Sequence, residues 1–342
     1  MVGANSPYAI ERHFLKHLKR IKTLEAVELF EAQNNFLHFY KKNLFNKILY
    51  RLGYHKILHK INNLLLKKVE EFKPTVVLVF KGMEIFPSTL IKIKHLGIKI
   101  TNYNPDNPFI FSGKGSGNLN ITKSIGLYDL HFTYNLNIQK ELKEKFPSTP
   151  AEYLPFGYEL SDELYDKASK QKEINKVCFL GNPDKFRTSF VTILAKNGIE
   201  IDVFGNNWSK WVNHKNITCF HSVYNDDFWL TLRRYRIQLN LMRPHNEDSH
   251  NMRTFEIPAV GGIQLAPRNQ EHAIFFNENE EFFLYDSIEE CIAKIKLILV
   301  MSQTVSAKIR KSARKRSLEA GYSYEARSQT IFDTYKRTFA AI

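Results

Sequence analysis

Arginine and carboxylate residues stand close together in the stretch Asn246–Asn269, which reads NEDSHNMRTFEIPAVGGIQLAPRN. Asp248 and Glu256 are separated by seven residues, and Arg253 precedes Glu256 by three, so Arg253 and Glu256 share one face of a predicted helix. One interpretation is an ordinary ion pair of little energetic value. The remainder of the helix is largely apolar, however, so both charges would be partly desolvated without a ligand. The stretch is therefore a candidate binding site for a charged ligand.

Two further features flank this predicted helix. Arg243 follows the apolar run IQLNLM, which predicts a strand, and ligands bind at the carboxyl ends of strands in parallel sheets. Gly261 and Gly262 follow the helix and are typical of a helix C-terminus.

A second group of charges lies in FLGNPDKFR, residues 179–187. The run before it predicts a strand that ends at Gly181, and the turn that follows leads into a helix with Lys185 and Arg187 in its first turn. Glycine lets a ligand approach the backbone, and free amide groups beside two cations suit a phosphate. The alternative is a plain strand-helix turn with exposed basic residues.

A third group follows another predicted strand, in NYNPDNPFIFSGKGSGN, residues 102–118. Its glycine-rich part is not a dinucleotide-binding fingerprint, because no strand immediately precedes it. We expect a mobile loop over a binding cleft, with Asp106 as a candidate general base. A turn-forming aspartate before Asn-Pro is the equally plausible alternative.

Apolar, β-branched runs alternate with helical patterns along the chain, which is typical of parallel α/β units. In the first half, strands are predicted at residues 26–30, 75–80, 98–103, 130–134 and 152–155. Helices are predicted there at residues 7–20, 41–71, 87–96 and 138–145, with a break near Gly53 in the second. A charged connection punctuated by glycine and proline follows, and the alternation resumes at Lys176.

This alternation predicts an α/β protein of two tandem, Rossmann-like, doubly wound domains that face a cleft. The length of 342 residues suits two domains. We expect an N-terminal domain at residues 1–158, a linker at 159–175 and a C-terminal domain at 176–342, whose last helix could cross back to the N-terminal domain.

The composition is that of a soluble globular protein, with 43% hydrophobic and 25% charged residues. No run approaches the roughly 18 apolar residues of a membrane-spanning helix, and the N-terminus lacks the pattern of a signal peptide. Three cysteines without metal-ligand spacing argue against a disulfide framework or a zinc site. These features predict a cytoplasmic protein.

The net charge of +14 predicts attraction to anionic partners, and much of it lies in one segment. Between Lys41 and Val69 there are eight lysine or arginine residues and no acidic residue, with apolar residues at helical spacing. This segment is either a solvated helix face packed on a core or a helix on the anionic inner face of the cell membrane.

The segment from Lys176 to Arg327 resembles the C-terminal half of GT-B glycosyltransferases of the group 1 type, and within them the CgeB-like (spore maturation protein) branch. The resemblance rests on a strand ending in glycine with an arginine six residues later, a strand ending in Phe-Gly before Trp208, Leu-Asn within a strand, and the Arg-x-Phe-Glu helix before Gly-Gly. NYNPDNP is similar to the Asp-Asp-Pro-type loop of the N-terminal domain, with Asn107 where that pattern often has a second aspartate. The rest of the N-terminal half is similar to the family only in its alternation of predicted strands and helices.

The resemblance implies that the C-terminal domain binds a nucleotide sugar and that the N-terminal domain binds the acceptor, a cell-surface glycan or a lipid-linked molecule. Glu256 would bind the ribose hydroxyls, as the second glutamate of the family's Glu-x7-Glu pattern does. Asp248 would occupy the first position of that pattern, with aspartate in place of glutamate.

The resemblance also assigns the remaining site residues. Arg187 and Arg253, with Lys185 or Arg243, would stabilise the diphosphate of the leaving group. The Gly261–Gly262 turn would permit close packing beside the nucleotide. Because GT-B enzymes generally use no bound metal, we expect neither a metal nor another cofactor.

Several alternatives remain open. The group 1 resemblance implies retention of anomeric configuration, whereas inversion would make Asp106 the candidate base. A nucleotide-sugar epimerase can share the GT-B plan. A basic nucleic-acid-binding protein is the non-enzymatic alternative, although no recognised RNA- or DNA-binding motif is present, so we expect no nucleic-acid partner.

Overall fold

Two parallel sheets organise the protein, and each belongs to its own unit. The computed structural model describes residues 1–51, 56–111, 116–242 and 248–339. One unit is formed by Met1–Pro155 together with the chain from Tyr324 onward, and the other by Phe156–Ser323. No helix in the described parts of the chain is both long and apolar enough to cross a bilayer.

The first unit contains a four-stranded sheet in the order β1-β2-β3-β4, with all neighbours parallel. Its strands are β1 (Val76–Phe80), β2 (Lys99–Asn104), β3 (Leu130–Thr133) and β4 (Ala151–Tyr153). Their residues are mostly buried, as expected for strands covered on both faces. The strand predicted at residues 26–30 is reduced to one bridge: Val2 pairs with Phe30 on one side and with Val79 on the other.

Among the described residues, seven α-helices of the first unit precede the second unit in the chain. They are α1 (Ile10–Leu18), α2 (Ala32–Lys42), α3 (Leu44–Arg51), α4 (Lys56–Phe72), α5 (Pro87–His95), α6 (Leu119–Ser124) and α7 (Leu136–Lys145). The helix predicted from Lys41 is interrupted at Asn43, which is extended and accepts the N–H of Asn46 through its side-chain oxygen at 2.8 Å. The predicted break at Gly53 lies outside the described residues.

The second unit contains a six-stranded parallel sheet in the order β10-β9-β8-β5-β6-β7. Its strands are β5 (Ile174–Leu180), β6 (Ile201–Phe204), β7 (Ile217–Phe220), β8 (Tyr235–Leu239), β9 (Gln264–Pro267) and β10 (Phe283–Tyr285). Chain order reverses between β5 and β8, and such a switch point is where doubly wound sheets bind ligands, at the carboxyl ends of the strands.

Helices of the second unit alternate with these strands. They are α8 (Asp162–Ser169), α9 (Lys185–Lys196), α10 (Asn225–Arg234), α11 (Arg253–Ala259), α12 (Gln270–Phe275), α13 (Ile288–Leu299) and α14 (Gln303–Glu319). The segment expected as a linker, residues 159–175, contains α8 and the beginning of β5. The last helix, α15 (Tyr324–Thr338), belongs to the first unit and packs there against α1.

Candidate functional site

The loop after β5 lies at the carboxyl edge of the second sheet, next to the switch point. Strand β5 ends at Leu180, and Gly181 begins the turn that leads into α9. Asp184 caps this helix by accepting the N–H of Arg187 at 2.9 Å. Lys185 is exposed in the first turn. The chain therefore places a helix N-terminus and an exposed cation where the sequence predicted a phosphate site.

Arg187 is buried, unlike Lys185. Its guanidinium donates to the carbonyl oxygens of Asn182 at 3.3 Å and Leu241 at 3.1 Å, and it stacks 5.4 Å from the ring centre of Phe179. Because Leu241 follows β8, Arg187 joins the loop after β5 to the end of β8 across the switch point. The alternative of exposed basic residues therefore applies to Lys185 and not to Arg187.

Replacing Arg187 with lysine should destabilise the second unit by about 2–4 kcal/mol. A lysine keeps the positive charge but cannot donate to two carbonyl groups from a planar fork, and a buried charge that loses its partners is costly. Chemical denaturation measures the change. Lys185→Ala, which removes an exposed cation from the first turn of the same helix, serves as the control and should change stability by less than about 0.5 kcal/mol. Equal stability of Arg187→Lys and the wild type would contradict the joining role.

The loop after β6 packs tightly against the loop after β5. Trp208 donates from Nε1 to the carbonyl oxygen of Gly181 at 2.7 Å. A Cβ added at Gly205 would lie only 2.3 Å from the same oxygen, so this position has no room for a side chain. Asn206 donates its N–H to the side-chain oxygen of Asn182 at 2.9 Å. These contacts fix the Gly181 loop, and the Phe-Gly ending of β6 before Trp208 was their only sequence signal.

Arg253 and Glu256 form an ion pair in the first turn of α11, from Arg253 Nη1 to Glu256 Oε2. Glu256 is buried, and burial raises the pKa of its carboxyl group, while Arg253 opposes that rise. The Arg253 guanidinium also lies 4.4 Å from the ring centre of Phe228. Its buried Nε has no hydrogen-bond partner within the described parts of the chain.

The ion pair predicted from sequence is thus present, with a buried carboxylate and an arginine that is 31% exposed. The desolvation of Glu256 fits the expectation that a ligand compensates these charges. A carboxylate held in this way can accept hydrogen bonds from ligand hydroxyls, and an arginine beside it can donate to a phosphate.

Two other predicted residues lie near the start of this segment. Asp248 is exposed, and no described residue is within hydrogen-bonding or ion-pairing distance of its carboxylate. Arg243 lies outside the described residues, so its predicted role stays a prediction.

The Gly261–Gly262 pair lies at the opposite end of α11. Gly261 has a left-handed backbone (φ 71°), and the two amides donate to the carbonyl oxygens of Pro258 and Ile257. A Cβ at Gly262 would lie 2.7 Å from the Ile257 side chain. Because β9 begins just after this turn, the two glycines lie at the amino edge of the sheet. The structure therefore does not bring them together with Arg253, and they end the helix.

Asp106 belongs to the first unit, in the loop after β2. Its carboxylate lies 2.6 Å from the Lys81 ammonium group, and its N–H donates to the side-chain oxygen of Asn104 at 3.0 Å. Lys81 directly follows β1, which neighbours β2, so both side chains lie at the carboxyl edge of the first sheet. Sequence reasoning missed Lys81, although its position just after a predicted strand was visible. The glycines Gly113 and Gly115 of the same loop lie outside the described residues.

The described residues contain no group of three or more histidine, cysteine, aspartate or glutamate side chains that could hold a metal ion. Among the described residues, the charged side chains at the carboxyl edge of the second sheet include Lys185, Arg187, Arg253 and Glu256.

Comparison with known proteins agrees with this arrangement. Residues 187–333 match the family model described as glycosyl transferase-like. A glycosyltransferase from Rickettsia africae ESF-5 has a TM-score of 0.68 at 12% identity, covering 100% of this chain and 98% of that one. Anabaena Alr3699/HepE, solved in complex with UDP-glucose, has a TM-score of 0.65 at 11% identity, covering 98% of this chain and 99% of that one.

A third similar structure is named as a different kind of enzyme. A putative UDP-N-acetylglucosamine 2-epimerase from Listeria monocytogenes has a TM-score of 0.58 at 12% identity, covering 100% of this chain and 97% of that one. A search of curated protein sequences gives no significant match.

The fold is the GT-B fold of these glycosyltransferase structures, and the segment that matches the glycosyl transferase-like model covers less than half of the chain. The predicted α/β architecture with two Rossmann-like domains is confirmed by the two parallel sheets and by the structural neighbours. The predicted enzyme class is confirmed at the level of the glycosyltransferases.

Proposed function

We propose that the protein transfers a sugar from a nucleotide-sugar donor to a cell-surface glycan or a lipid-linked acceptor. The observation that supports it most is the Arg253–Glu256 pair, in which a buried carboxylate and a partly exposed arginine lie in the first turn of α11. Glu256 would accept hydrogen bonds from the ribose hydroxyls, and Arg253 with Lys185 would face the diphosphate. We also propose that the protein belongs to the CgeB-like branch of the group 1 type.

A panel of nucleotide sugars tests this proposal. Purified protein is incubated with each donor, and release of nucleotide and change in thermal stability are measured. A single donor class should raise the unfolding temperature, because a ligand that binds only the folded state stabilises it. Absence of binding and turnover with every donor would contradict the proposal.

We propose that catalysis needs no metal and retains the anomeric configuration. The cations Lys185, Arg187 and Arg253 would take the place of a metal in neutralising charge on the leaving diphosphate, and Asp248 would contact the transferred sugar. Turnover should persist in EDTA, and NMR of the product gives its anomeric configuration. Complete loss of activity in EDTA, restored by Mg²⁺, would contradict metal independence.

The activity of an Asp106 variant distinguishes retention of the anomeric configuration from its inversion. The Asp106 carboxylate lies 2.6 Å from the Lys81 ammonium group and could accept a proton from an acceptor hydroxyl. Under retention we expect Asp106→Asn to keep at least a tenth of the wild-type turnover, measured as nucleotide release with acceptor present. If turnover is abolished while donor affinity is unchanged, the enzyme inverts and Asp106 is the base.

An epimerase is the second candidate, favoured by the similarity to the Listeria monocytogenes structure. Product analysis without any acceptor separates the two functions, because an epimerase converts its nucleotide sugar alone. Formation of an epimeric sugar under these conditions would favour the epimerase.

We further propose that the protein is cytoplasmic and binds the anionic inner face of the cell membrane through α3. In this helix Leu44, Phe45 and Ile48 are exposed, at 70%, 65% and 44%, beside the basic residues Lys42 and Lys47. The other interpretation of the basic segment, a helix face packed on the core, applies to α4. Its buried apolar side chains are Leu58, Ile61, Leu65 and Val69. Exposed apolar and basic side chains together fit an anionic lipid surface.

Vesicle co-sedimentation measures this binding. The variant Lys41→Gln/Lys42→Gln/Lys47→Gln should bind vesicles containing phosphatidylserine about 100-fold more weakly, because each basic residue contributes about 1 kcal/mol. Leu44→Ser/Phe45→Ser should also reduce binding. Leu297→Ser/Val300→Ser removes two exposed apolar residues of the second unit and is the matched control. Equal binding by all variants would contradict the proposed surface.

A further inference from the structure

The segment that leads into α11 is held by two buried ionisable residues of another helix. Glu271 and His272, in the first turn of α12, are 1% and 0% exposed. Neither belongs to the site described above, and neither was singled out from the sequence. Both contact residues that lie between Asp248 and Glu256.

Glu271 holds the beginning of this segment. Its Oε2 accepts hydrogen bonds from the hydroxyl of Ser249 at 2.6 Å and from Nδ1 of His250 at 2.5 Å. The other ring nitrogen of His250, Nε2, accepts the N–H of Phe156 at 3.1 Å. These partners assign the proton to Nδ1, so the imidazole is neutral and its orientation is fixed at both nitrogens.

The His250 ring is also fixed by aromatic contacts. The rings of Phe156, Phe255 and Phe275 surround it edge-on, at centroid distances of 5.1–5.5 Å. Because Ser249 and His250 are both fully buried, this part of the segment has no freedom to move without breaking the contacts with Glu271.

His272 holds the first turn of α11, which follows this segment. Its Nδ1 donates to the carbonyl oxygen of Pro267 at 2.8 Å, and its Nε2 accepts the hydroxyl of Thr254 at 3.1 Å. Burial lowers the pKa of His272 to about 4, so the ring is neutral near pH 7. Asn240, which follows β8, donates to the same Thr254 oxygen at 3.3 Å. The first turn of α11 is thus fastened both to α12 and to the end of β8.

We infer that Glu271 is a positioning residue for donor binding. This inference rests on the proposed function, because the residues whose position it sets, Arg253 and Glu256, are the proposed donor contacts. Glu271 acts through Ser249 and His250 and touches no ligand itself. A binding constellation must be held by neighbouring hydrogen bonds to within a fraction of an ångström, so the loss of this anchor should weaken donor affinity.

Glu271→Gln tests the inference. Glutamine has the same shape and can place its amide oxygen at the Oε2 position, but both hydrogen bonds then lose the charge of the carboxylate and weaken. We expect the donor KM and the Kd by calorimetry to rise at least tenfold, and kcat to fall by much less than in Arg253→Ala because the guanidinium is still present. Hydrogen exchange at residues 248–256 should increase in the absence of any ligand.

Tyr235→Phe is the matched control. It removes another buried hydrogen bond of the second unit, from Tyr235 to Asp202 at 2.7 Å, at the beginning of β8 and therefore at the other edge of the sheet. Its donor affinity and its exchange at residues 248–256 should equal those of the wild type. If Tyr235→Phe weakens donor binding as much as Glu271→Gln does, the effect is general destabilisation and the positioning role is wrong.

A second variant covers the case in which Glu271→Gln does not fold. Ser249→Ala removes one of the two donors without introducing a new polar group, and should raise the donor KM about threefold. An unchanged KM in that variant would overturn the inference.

The two proposals fail in different ways. If the wild type binds no nucleotide sugar, the proposed function is wrong, and the role of Glu271 in donor binding is wrong with it. If the wild type binds a donor and Glu271→Gln binds it equally well, only the positioning role is wrong.

Discussion

Glu256→Gln should weaken nucleotide-sugar binding by about 100-fold while leaving the unfolding temperature of the free protein unchanged or slightly raised. A charge-assisted hydrogen bond to a ribose hydroxyl is worth up to about 3 kcal/mol, and each 1.4 kcal/mol is a factor of ten in affinity. Calorimetry gives the affinity, and thermal unfolding without ligand gives the stability.

The expected stability follows from the pKa of Glu256. Burial raises this pKa above its unfolded value, so the ionised carboxylate is less favourable in the folded chain than in the unfolded one. The stability that this group contributes is present below the unfolded pKa and is lost as the pH rises through the folded pKa. Near pH 7 the ionised group therefore costs stability, and a neutral glutamine removes that cost. Arg253 tolerates the loss of its partner because it is 31% exposed.

The raised pKa of Glu256 also predicts how donor binding depends on pH. Because the carboxylate is the hydrogen-bond acceptor, donor affinity of the wild type should fall as the pH drops through the raised pKa of Glu256. Glu256→Gln should show no such decrease over that range. Glu281→Gln, which changes a buried glutamate that accepts the N–H of Asn277 at 2.8 Å, is a matched control and should bind the donor as the wild type does. If Glu256→Gln loses stability and keeps donor affinity, Glu256 is a structural residue.

The parts of the fold that could be predicted are those determined by local patterns. Strands such as β1 and β6 are short, buried, β-branched runs, and their positions follow from composition alone. The Arg253–Glu256 pair could be found because both residues lie on one helix and its spacing is visible in the sequence. The turn at Gly181 could be found because a glycine directly after a strand signals a close approach of the backbone.

The contacts that could not be predicted join distant parts of the chain. Lys81 meets Asp106, 25 residues away, only because β1 and β2 are neighbours in the sheet. Glu271 meets Ser249 only after α12 has packed against the segment before α11. At Arg187 the residue type and its edge of the sheet were predictable. Its burial against two carbonyl groups depends on the order of β5 and β8, which no local pattern contains.

Arg253→Ala should lower kcat by about 100- to 1,000-fold, the loss of about 3–4 kcal/mol that follows removal of one preorganised charge partner from a developing anion. The arginine is suited to this role because its guanidinium is oriented by Phe228 and Glu256 and is still partly exposed. Arg253→Lys keeps the charge without the planar fork and should lose less, about tenfold. Steady-state kinetics with saturating donor and acceptor measure both variants.

Arg337→Ala is the matched control, because it removes an arginine from an ion pair with Glu152 at 2.9 Å in the first unit. It should leave kcat within twofold of the wild type. A similar loss of turnover in this variant, or none in Arg253→Ala, would exclude the assigned role of Arg253.

The double variant Arg253→Ala/Glu256→Gln shows whether the pair acts as a unit. Arg253 opposes the rise in the Glu256 pKa, so its removal alone raises that pKa further and moves the loss of donor affinity to higher pH. Part of the defect of Arg253→Ala therefore comes from Glu256, and that part is absent once residue 256 is glutamine. The double variant should lose less kcat/KM than the product of the two single losses, as expected for residues in direct contact. Strict multiplication of the two losses would mean that Arg253 and Glu256 bind the donor independently.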